Sequence, residues 1–228
     1  MLYVWQTIYL IGETEEFIEN IFSRTIILSG RVHKSYSLGE NEQMDREEIA
    51  RLTKDYGAGW GMGHAQRILR LTSIIADGLD YDREAIWIAA HMHDWGGWPH
   101  WAIPGIDHAV RSTTVAEEYL SQNDCPMELK NRVLECIEFH HGGDEHRSFE
   151  SKLFTDADAL DLLGAMGTIR IFSMNPRDLQ GGYQAVEMWR IKCMNAIRLE
   201  GSKRIAARRL ETMDQVLRMF EEESFGYF

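Results

Sequence analysis

The chain has 228 residues, 44% of them hydrophobic and 26% charged, a composition typical of one sizeable globular domain rather than a disordered or fibrous protein. Its formal net charge of −12 argues against a nucleic-acid polymer or an anionic membrane as a partner, because an acidic surface repels phosphate. The three cysteines form no C-x-x-C pair, which argues against a disulfide framework or a thiolate zinc site and predicts a reducing, cytoplasmic compartment.

Residues 1–45 differ in pattern from the rest of the chain. Aromatic and β-branched runs such as "LYVWQTIYLI" and "RTIIL" predict short strands or a hairpin, with a short helix, "TEEFIENIFSR", between them. The apolar start is short and runs into the acidic "ETEEF", so it has the pattern of neither a signal peptide nor a membrane span. We therefore expect residues 1–45 to form an extension packed on the main body.

Helical patterns begin at Asp45. The stretch "DREEIARLTKDYG" has an aspartate cap, early acids and a glycine stop, and "GHAQRILRLTSIIADG" follows it with an apolar stripe. The very apolar "EAIWIAA" comes next and ends at "HMHDWGGW". A loop rich in glycine and tryptophan is expected over residues 95–107.

Four more helices are expected after this loop. The first two are "HAVRSTTVAEEYLSQ" and "PMELKNRVLECIEFHH". The others span about residues 151–174 and about residues 181–220, the last with a break near Gly201. Strand signals are few beyond Asp45, so we predict an all-α helical bundle in which residues 46–228 form a single globular unit.

Histidines and aspartates stand at the ends of several of these apolar stripes. Charged groups are costly to bury unpaired, so their convergence from separate helices indicates a shared cation. Neutral imidazole and carboxylate oxygen together suit zinc, manganese, iron or nickel. The residues of this kind are His64, His93, Asp94, His108, His140, His141, Asp156, Asp158 and Asp161.

The order of four of them, His64, then His93-Asp94, then Asp158, resembles the H…HD…D pattern of the HD superfamily of metal-dependent phosphohydrolases. The stretch "GHAQRILRL" is similar to the first-histidine helix of small bacterial members, and "HAVRSTTVAEEYL" is similar to another of their helices. "ESKLFTDADALDLLGAMGTIRIF" closely resembles their Asp-x-Asp-x-x-Asp stretch, and "KCMNAIRLEGSKRIAARR" their lysine-bearing C-terminal helices. The resemblance covers about residues 56–220 and implies an HD domain for residues 46–228.

The resemblance also implies a set of metal ligands. One ion would be bound by four residues: His64, His93, Asp94 and Asp158. Asp158 is preferred to Asp156 because the family ligand is the second acid of the string. A second ion, bridged by Asp94 as in binuclear relatives, would use His108, His140 and His141. Asp156 and Asp161 are expected to cap helices or to hold ligand histidines. Manganese, iron, zinc, nickel and magnesium remain open as the metal.

The implied function is hydrolysis of a phosphate ester or anhydride of a small phosphorylated metabolite or nucleotide by metal-activated water. Asp94 is the expected catalytic residue, because it would hold the ion and orient that water or accept its proton. Basic side chains are expected to meet the substrate phosphate. The candidates are Arg67, Lys152, Lys192 and Lys203.

Two other functions are compatible with the same residues. Some proteins of this superfamily, similar to myo-inositol oxygenase, hold two irons in such an array and activate oxygen. A non-catalytic domain that binds a metal or a small ligand is the third reading, although every matched ligand position is occupied. The close match in "DADALDLLGAMG" favours the hydrolase. The methionine-rich C-terminal helix is either core or a dimer face, which leaves a homodimer open.

Overall fold

The computed structural model describes residues 44–143 and 145–228. All regular structure in these residues is helical, which confirms the predicted all-α class. The predicted strands of the N-terminal extension lie outside the described residues, and the extension itself stays a prediction. The helices are α1 (Arg46–Ile75), α2 (Arg83–Met92), a 3-10 turn (Trp95–Gly97), α3 (His108–Gln122), α4 (Met127–Glu138), α5 (Phe149–Asp161), α6 (Gly164–Met174), α7 (Leu179–Ala196) and α8 (Glu200–Ser224).

Side-chain caps set where most of these helices begin. At five helix starts the residue before the helix accepts a hydrogen bond from a backbone N–H of the first turn, which otherwise has no intrahelical partner. These caps are Asp45, Asp82, Asp107, Ser148 and Asp178. The cap at Asp107 makes His108 the first residue of α3, and so fixes one candidate ligand at a helix end.

Helix α2 lies at the centre of the bundle, in contact with α1, α4 and α5. Seven of its 10 residues are buried, among them Ile86, Ile88 and Met92. Burial of each such side chain contributes about 1.5–3 kcal/mol to folding. Because the helix is enclosed by its neighbours, His93 at its C-terminal end is buried, and the next residue, Asp94, is only partly exposed. None of the described helices has the length and apolarity needed to cross a bilayer.

The helix expected over residues 151–174 is two helices, α5 and α6, and the expectation of one was wrong. The chain turns between Asp161 and Gly164, where Gly164 has a φ of 78°, a left-handed conformation that glycine adopts without a steric penalty. The turn changes the direction of the chain, so that α6 packs against α7 and α8. It also leaves Asp161 as the last residue of α5.

The break predicted near Gly201 is present a few residues earlier, between Ala196 and Glu200. The buried carboxylate of Asp156 accepts hydrogen bonds from the backbone N–H groups of Arg198 and Leu199, both at 2.8 Å. These two bonds join the start of α8 to α5. Asp156 therefore caps a helix start that lies far from it in the sequence.

Helix α1 joins two predicted helices across a kink at Ala58, where φ is 47° and ψ is −138°. A β-carbon makes this backbone conformation unfavourable by about 1–2 kcal/mol, whereas glycine tolerates it. We expect Ala58→Gly to raise the free energy of unfolding by about 1 kcal/mol and the melting temperature by about 2–4 °C, measured by calorimetry. Ala50→Gly, in the regular part of α1, is the control and is expected to lower stability by about 0.5–1 kcal/mol. A loss of stability in both variants would contradict the strain at Ala58.

Candidate metal centre

Four side chains from three helical segments meet beside the end of α2. His64 comes from the second half of α1, His93 and Asp94 follow α2, and Asp158 comes from α5. Three of them are almost fully buried: His64, His93 and Asp158 are 4%, 2% and 5% exposed. The four residues for which the family resemblance implies one metal ion are therefore neighbours in the fold.

The donor atoms of these four residues lie at distances that suit one ion. His64 Nε2 is 3.1 Å from Asp158 Oδ1 and 3.8 Å from Asp94 Oδ2. His93 Nε2 is 3.4 Å from Asp94 Oδ2, 3.9 Å from Asp158 Oδ1 and 3.2 Å from His64 Nε2. Ligand atoms each about 2.0–2.2 Å from a common cation lie about 3–4 Å apart, so the residues fit such an ion.

A second group of three histidines lies on the other side of Asp94. His108 Nε2 is 3.3 Å from His140 Nε2 and 3.8 Å from Asp94 Oδ1. One donor atom from each of His108, His140 and His141 lies within 4.8 Å of the others. The two carboxylate oxygens of Asp94 thus face two different groups of imidazoles, which is the arrangement of a bridging ligand.

The second group is more open to solvent than the first. His140 is 1% exposed, but the side chains of Asp94 and His108 are each 33% exposed. His141 is partly buried and lies beside Trp189 of α7, with ring centroids 6.3 Å apart. The open side of the candidate site is therefore the side of Asp94, His108 and His141.

The electrostatics of the first group favour a cation. Burial opposes the imidazolium form of His64, yet hydrogen bonds to Asp158 and Asp161 raise its pKa to about 9. The pKa of Asp158 is well below its usual value; burial opposes its charged form, but its contact with His64 favours that form more strongly. In the metal-free protein a proton on His64 thus partly balances the carboxylates, and metal uptake must displace it.

Three other histidines of the site are neutral near pH 7. Burial lowers the pKa of His93, His140 and His141 to about 4 in each case. A neutral imidazole is the form that binds a metal, because one ring nitrogen keeps a free electron pair. The Nδ1–H of His140 donates to Ile137 O at 2.6 Å, which leaves Nε2 to face His108.

The candidate substrate-binding residues lie in four different settings. The guanidinium of Arg67 is bonded to Asp161 through Nε and Nη2, at 2.7 and 2.9 Å, although the side chain is partly exposed. Lys192 lies on α7 with its Nζ 4.3 Å from the centroid of Trp189, near His141. Lys203 forms an exposed pair with Glu200, 2.6 Å apart. Lys152 is partly exposed near the start of α5. The substrate-binding roles of all four stay predictions.

Two arginines near the site were not predicted from the sequence as site residues. Arg170 of α6 is 9% exposed and contacts Asp161 and His64. The sequence feature that could have indicated it is the single cation within the apolar stretch "GTIRIF". A cation in such a stretch is expected to be buried, and a buried cation requires a buried anion as its partner. Arg147 donates from Nη1 to Phe139 O at 3.0 Å and to Thr155 Oγ1 at 2.8 Å, and so holds the chain just before His140 against α5.

Comparisons with known proteins bear on the family and the fold. The model of the family described as "HD domain" matches residues 61–163. A predicted HD superfamily hydrolase from an uncultured Thermotogales bacterium is 24% identical, with a TM-score of 0.56 over 78% of this chain and 92% of that chain. Bacillus subtilis YpgQ in complex with ADP is 22% identical, with a TM-score of 0.59 over 78% of this chain and 96% of that one.

An HD-superfamily hydrolase from Bacillus thuringiensis is 21% identical, with a TM-score of 0.58 over 78% of this chain and 95% of that chain. These likenesses to solved structures establish a common fold. A comparison with curated proteins gave no match. The matched residues contain His64, His93, Asp94 and Asp158, which are the residues that meet at the candidate site. Residues 61–163 are therefore identified as a match to the HD domain, and the solved structures show the same fold.

Proposed function

We propose that this protein is a metal-dependent hydrolase that cleaves a phosphate ester or anhydride of a small phosphorylated metabolite or nucleotide. The observation that carries the proposal is the position of Asp94 between two groups of donor atoms, with Oδ2 facing His64 and His93 and Oδ1 facing His108. This arrangement suits two divalent cations that share one carboxylate. A nucleotide is included because the related YpgQ structure holds ADP.

The chemistry of the site would be divided among its residues. Divalent cations held there by the histidines and aspartates would lower the pKa of water and would offset the charge that develops on a phosphoryl oxygen. His93 and Asp158 close the inner side of the site to solvent, because they are almost fully buried. Asp94 is exposed enough to orient the attacking water or to accept its proton at a carboxylate oxygen.

The substrate phosphate would approach from the side of His108 and His141. Lys192 is the cation best placed to meet it, since its position against Trp189 is close enough to His141 to affect the pKa of that imidazole. Arg67 is less suited, because Nε and Nη2 of its guanidinium are already bonded to Asp161. The indole of Trp189, at the same edge, would also offer a surface on which the base of a nucleotide stacks.

The first test is metal content and phosphate release. Elemental analysis of protein purified without added metal should find one to two divalent ions for each chain. Phosphate release is then measured over nucleotides and sugar phosphates with manganese, iron, zinc, nickel or magnesium. Turnover should depend on the ion and stop with chelator. Oxygen uptake by the iron-loaded protein, without phosphate release, would contradict the hydrolase and support an oxygenase.

Metal removal should also lower stability, because an ion that binds only the folded chain stabilises it by mass action. At a concentration 100 times its dissociation constant, one ion adds about 2.7 kcal/mol, which corresponds to a melting temperature higher by about 5–10 °C. We expect a chelator to reverse this shift in a thermal melt. An unchanged melting temperature after complete metal removal, verified by elemental analysis, would contradict a metal centre inside the bundle.

A further inference from the structure

The buried carboxylate of Asp161 is surrounded by three basic side chains. Its Oδ2 accepts a hydrogen bond from His64 Nδ1 at 2.8 Å and contacts Arg170 Nη1. Arg67 donates to both oxygens, from Nε to Oδ1 at 2.7 Å and from Nη2 to Oδ2 at 2.9 Å. Asp161 is 0% exposed, so it has no contact with solvent.

We propose that Asp161 is a positioning residue for the metal ligand His64 and that Arg67 and Arg170 hold its carboxylate in place. The proposal rests on the metal centre of the proposed function, but it does not depend on what the protein hydrolyses. It assigns Arg67 to the support of the metal centre rather than to substrate phosphate. The three residues that surround Asp161 come from α1 and α6, whereas Asp161 ends α5.

The orientation of the His64 ring supports this role. An ionised carboxylate only accepts hydrogen bonds, so His64 Nδ1 must carry the proton that it shares with Asp161. Once the second proton of the imidazolium has left, the free electron pair is on Nε2, which lies 3.1 Å from Asp158 Oδ1 and 3.2 Å from His93 Nε2. Asp161 therefore selects the tautomer that binds a metal, and also the direction in which His64 points.

The two arginines make the carboxylate rigid. Arg67 donates two parallel hydrogen bonds to it, and this geometry fixes the plane of the carboxylate as well as its position. Arg170 is itself held by the ring of Trp60, with the guanidinium carbon 5.2 Å from the ring centroid. Because Nε and Nη2 of Arg67 are both bonded to Asp161, a substrate phosphate could use these two donors only by breaking the ion pair.

A purely structural role is the competing explanation, in which the cluster only ties α1, α5 and α6 together. The measurement that separates the two roles is zinc affinity without substrate, determined by competition with a chelating dye. We expect Asp161→Asn to weaken zinc binding about 10–100-fold, as loss of a partner of a ligand histidine typically does. The Nδ1–H proton resonance of His64 in the zinc-loaded protein should also shift.

Asp156→Asn is the matched control. Asp156 is a buried carboxylate on the same helix, but its bonds are to the backbone N–H groups of Arg198 and Leu199, not to a histidine. Asp156→Asn is expected to lower the melting temperature and to leave zinc affinity within about twofold. Equal losses of zinc affinity in the two variants would overturn the positioning role, because they would trace the effect to general destabilisation.

Arg67 gives an independent test of the same network. We expect Arg67→Met to weaken zinc binding on its own and to add little in an Asp161→Asn background, because both changes disturb one carboxylate. If Arg67 instead binds substrate, Arg67→Met will leave zinc affinity unchanged and raise only the KM for a phosphate substrate, which overturns its assignment. Failure to find any hydrolysed substrate would count against the proposed function alone, since zinc affinity is measured without substrate.

Discussion

Asp94→Ala is expected to abolish phosphate release and to lower metal content while the helical fold is retained. Asp94 is the residue shared by both groups of imidazoles, through Oδ2 toward His64 and His93 and through Oδ1 toward His108. Partial burial disfavours its charged form, but the nearby imidazoles, His93 first among them, hold the pKa of Asp94 below its usual value, so it is ionised at neutral pH. Its removal leaves neither group with a bridging carboxylate.

The expected loss of kcat is at least about 10²–10³-fold, the size found when a single electrostatic group at a reacting centre is removed. Circular dichroism should report an unchanged helix content, and elemental analysis should report fewer ions for each chain. Asp55→Ala is the control, because Asp55 forms an exposed ion pair with Arg51 on α1, away from the site. An Asp94→Ala protein with full metal content and full rate would contradict the role of Asp94.

Gly96→Ala is expected to lower the stability of the fold and to displace His108, a ligand of the second group. Gly96 lies in the 3-10 turn directly after Asp94, and a β-carbon there would lie 2.3 Å from Ser112 N and 2.6 Å from His108 O. These are backbone atoms of α3, so they cannot move aside as a flexible side chain would. The methyl group would separate α3 from the turn, and would break the hydrogen bond of 2.8 Å from Gly96 N to Ser112 Oγ.

We expect Gly96→Ala to lower the free energy of unfolding by about 1–3 kcal/mol and the melting temperature by roughly 2–12 °C. Because His108 begins α3, its distance from Asp94 should increase, and the chain should bind the second ion at least about 10-fold more weakly. Gly97→Ala is the matched control, since its β-carbon would meet only the side chain of His108, at 3.4 Å. Equal effects of the two substitutions would show that close packing at Gly96 does not control the site.

Local signals in the sequence were enough to predict the helices and the kinds of residue at the site. The caps at Asp82 and Asp107 and the apolar run before His93 act within a few residues, so a reader of the sequence can recognise them. The breaks between consecutive helices were harder to predict, because the turn at Gly164 and the start of α8 depend on contacts with distant parts of the chain. The roles of the site residues await the experiments above.

The amino-acid sequence alone therefore specified helical structure and a supply of imidazoles and carboxylates at helix ends. The tertiary structure decided what each aspartate of "DADALD" contacts. Asp156 faces the start of α8, Asp158 faces His64, and Asp161 faces His64 and the two arginines. It also directed Arg67 to Asp161 rather than to the open side of the site. The reason is physical: Asp156 and Asp158, two residues apart, project from different sides of α5, whereas Asp158 and Asp161, three apart, share the side that faces His64. Only the crossing of neighbouring helices determines what lies on each side.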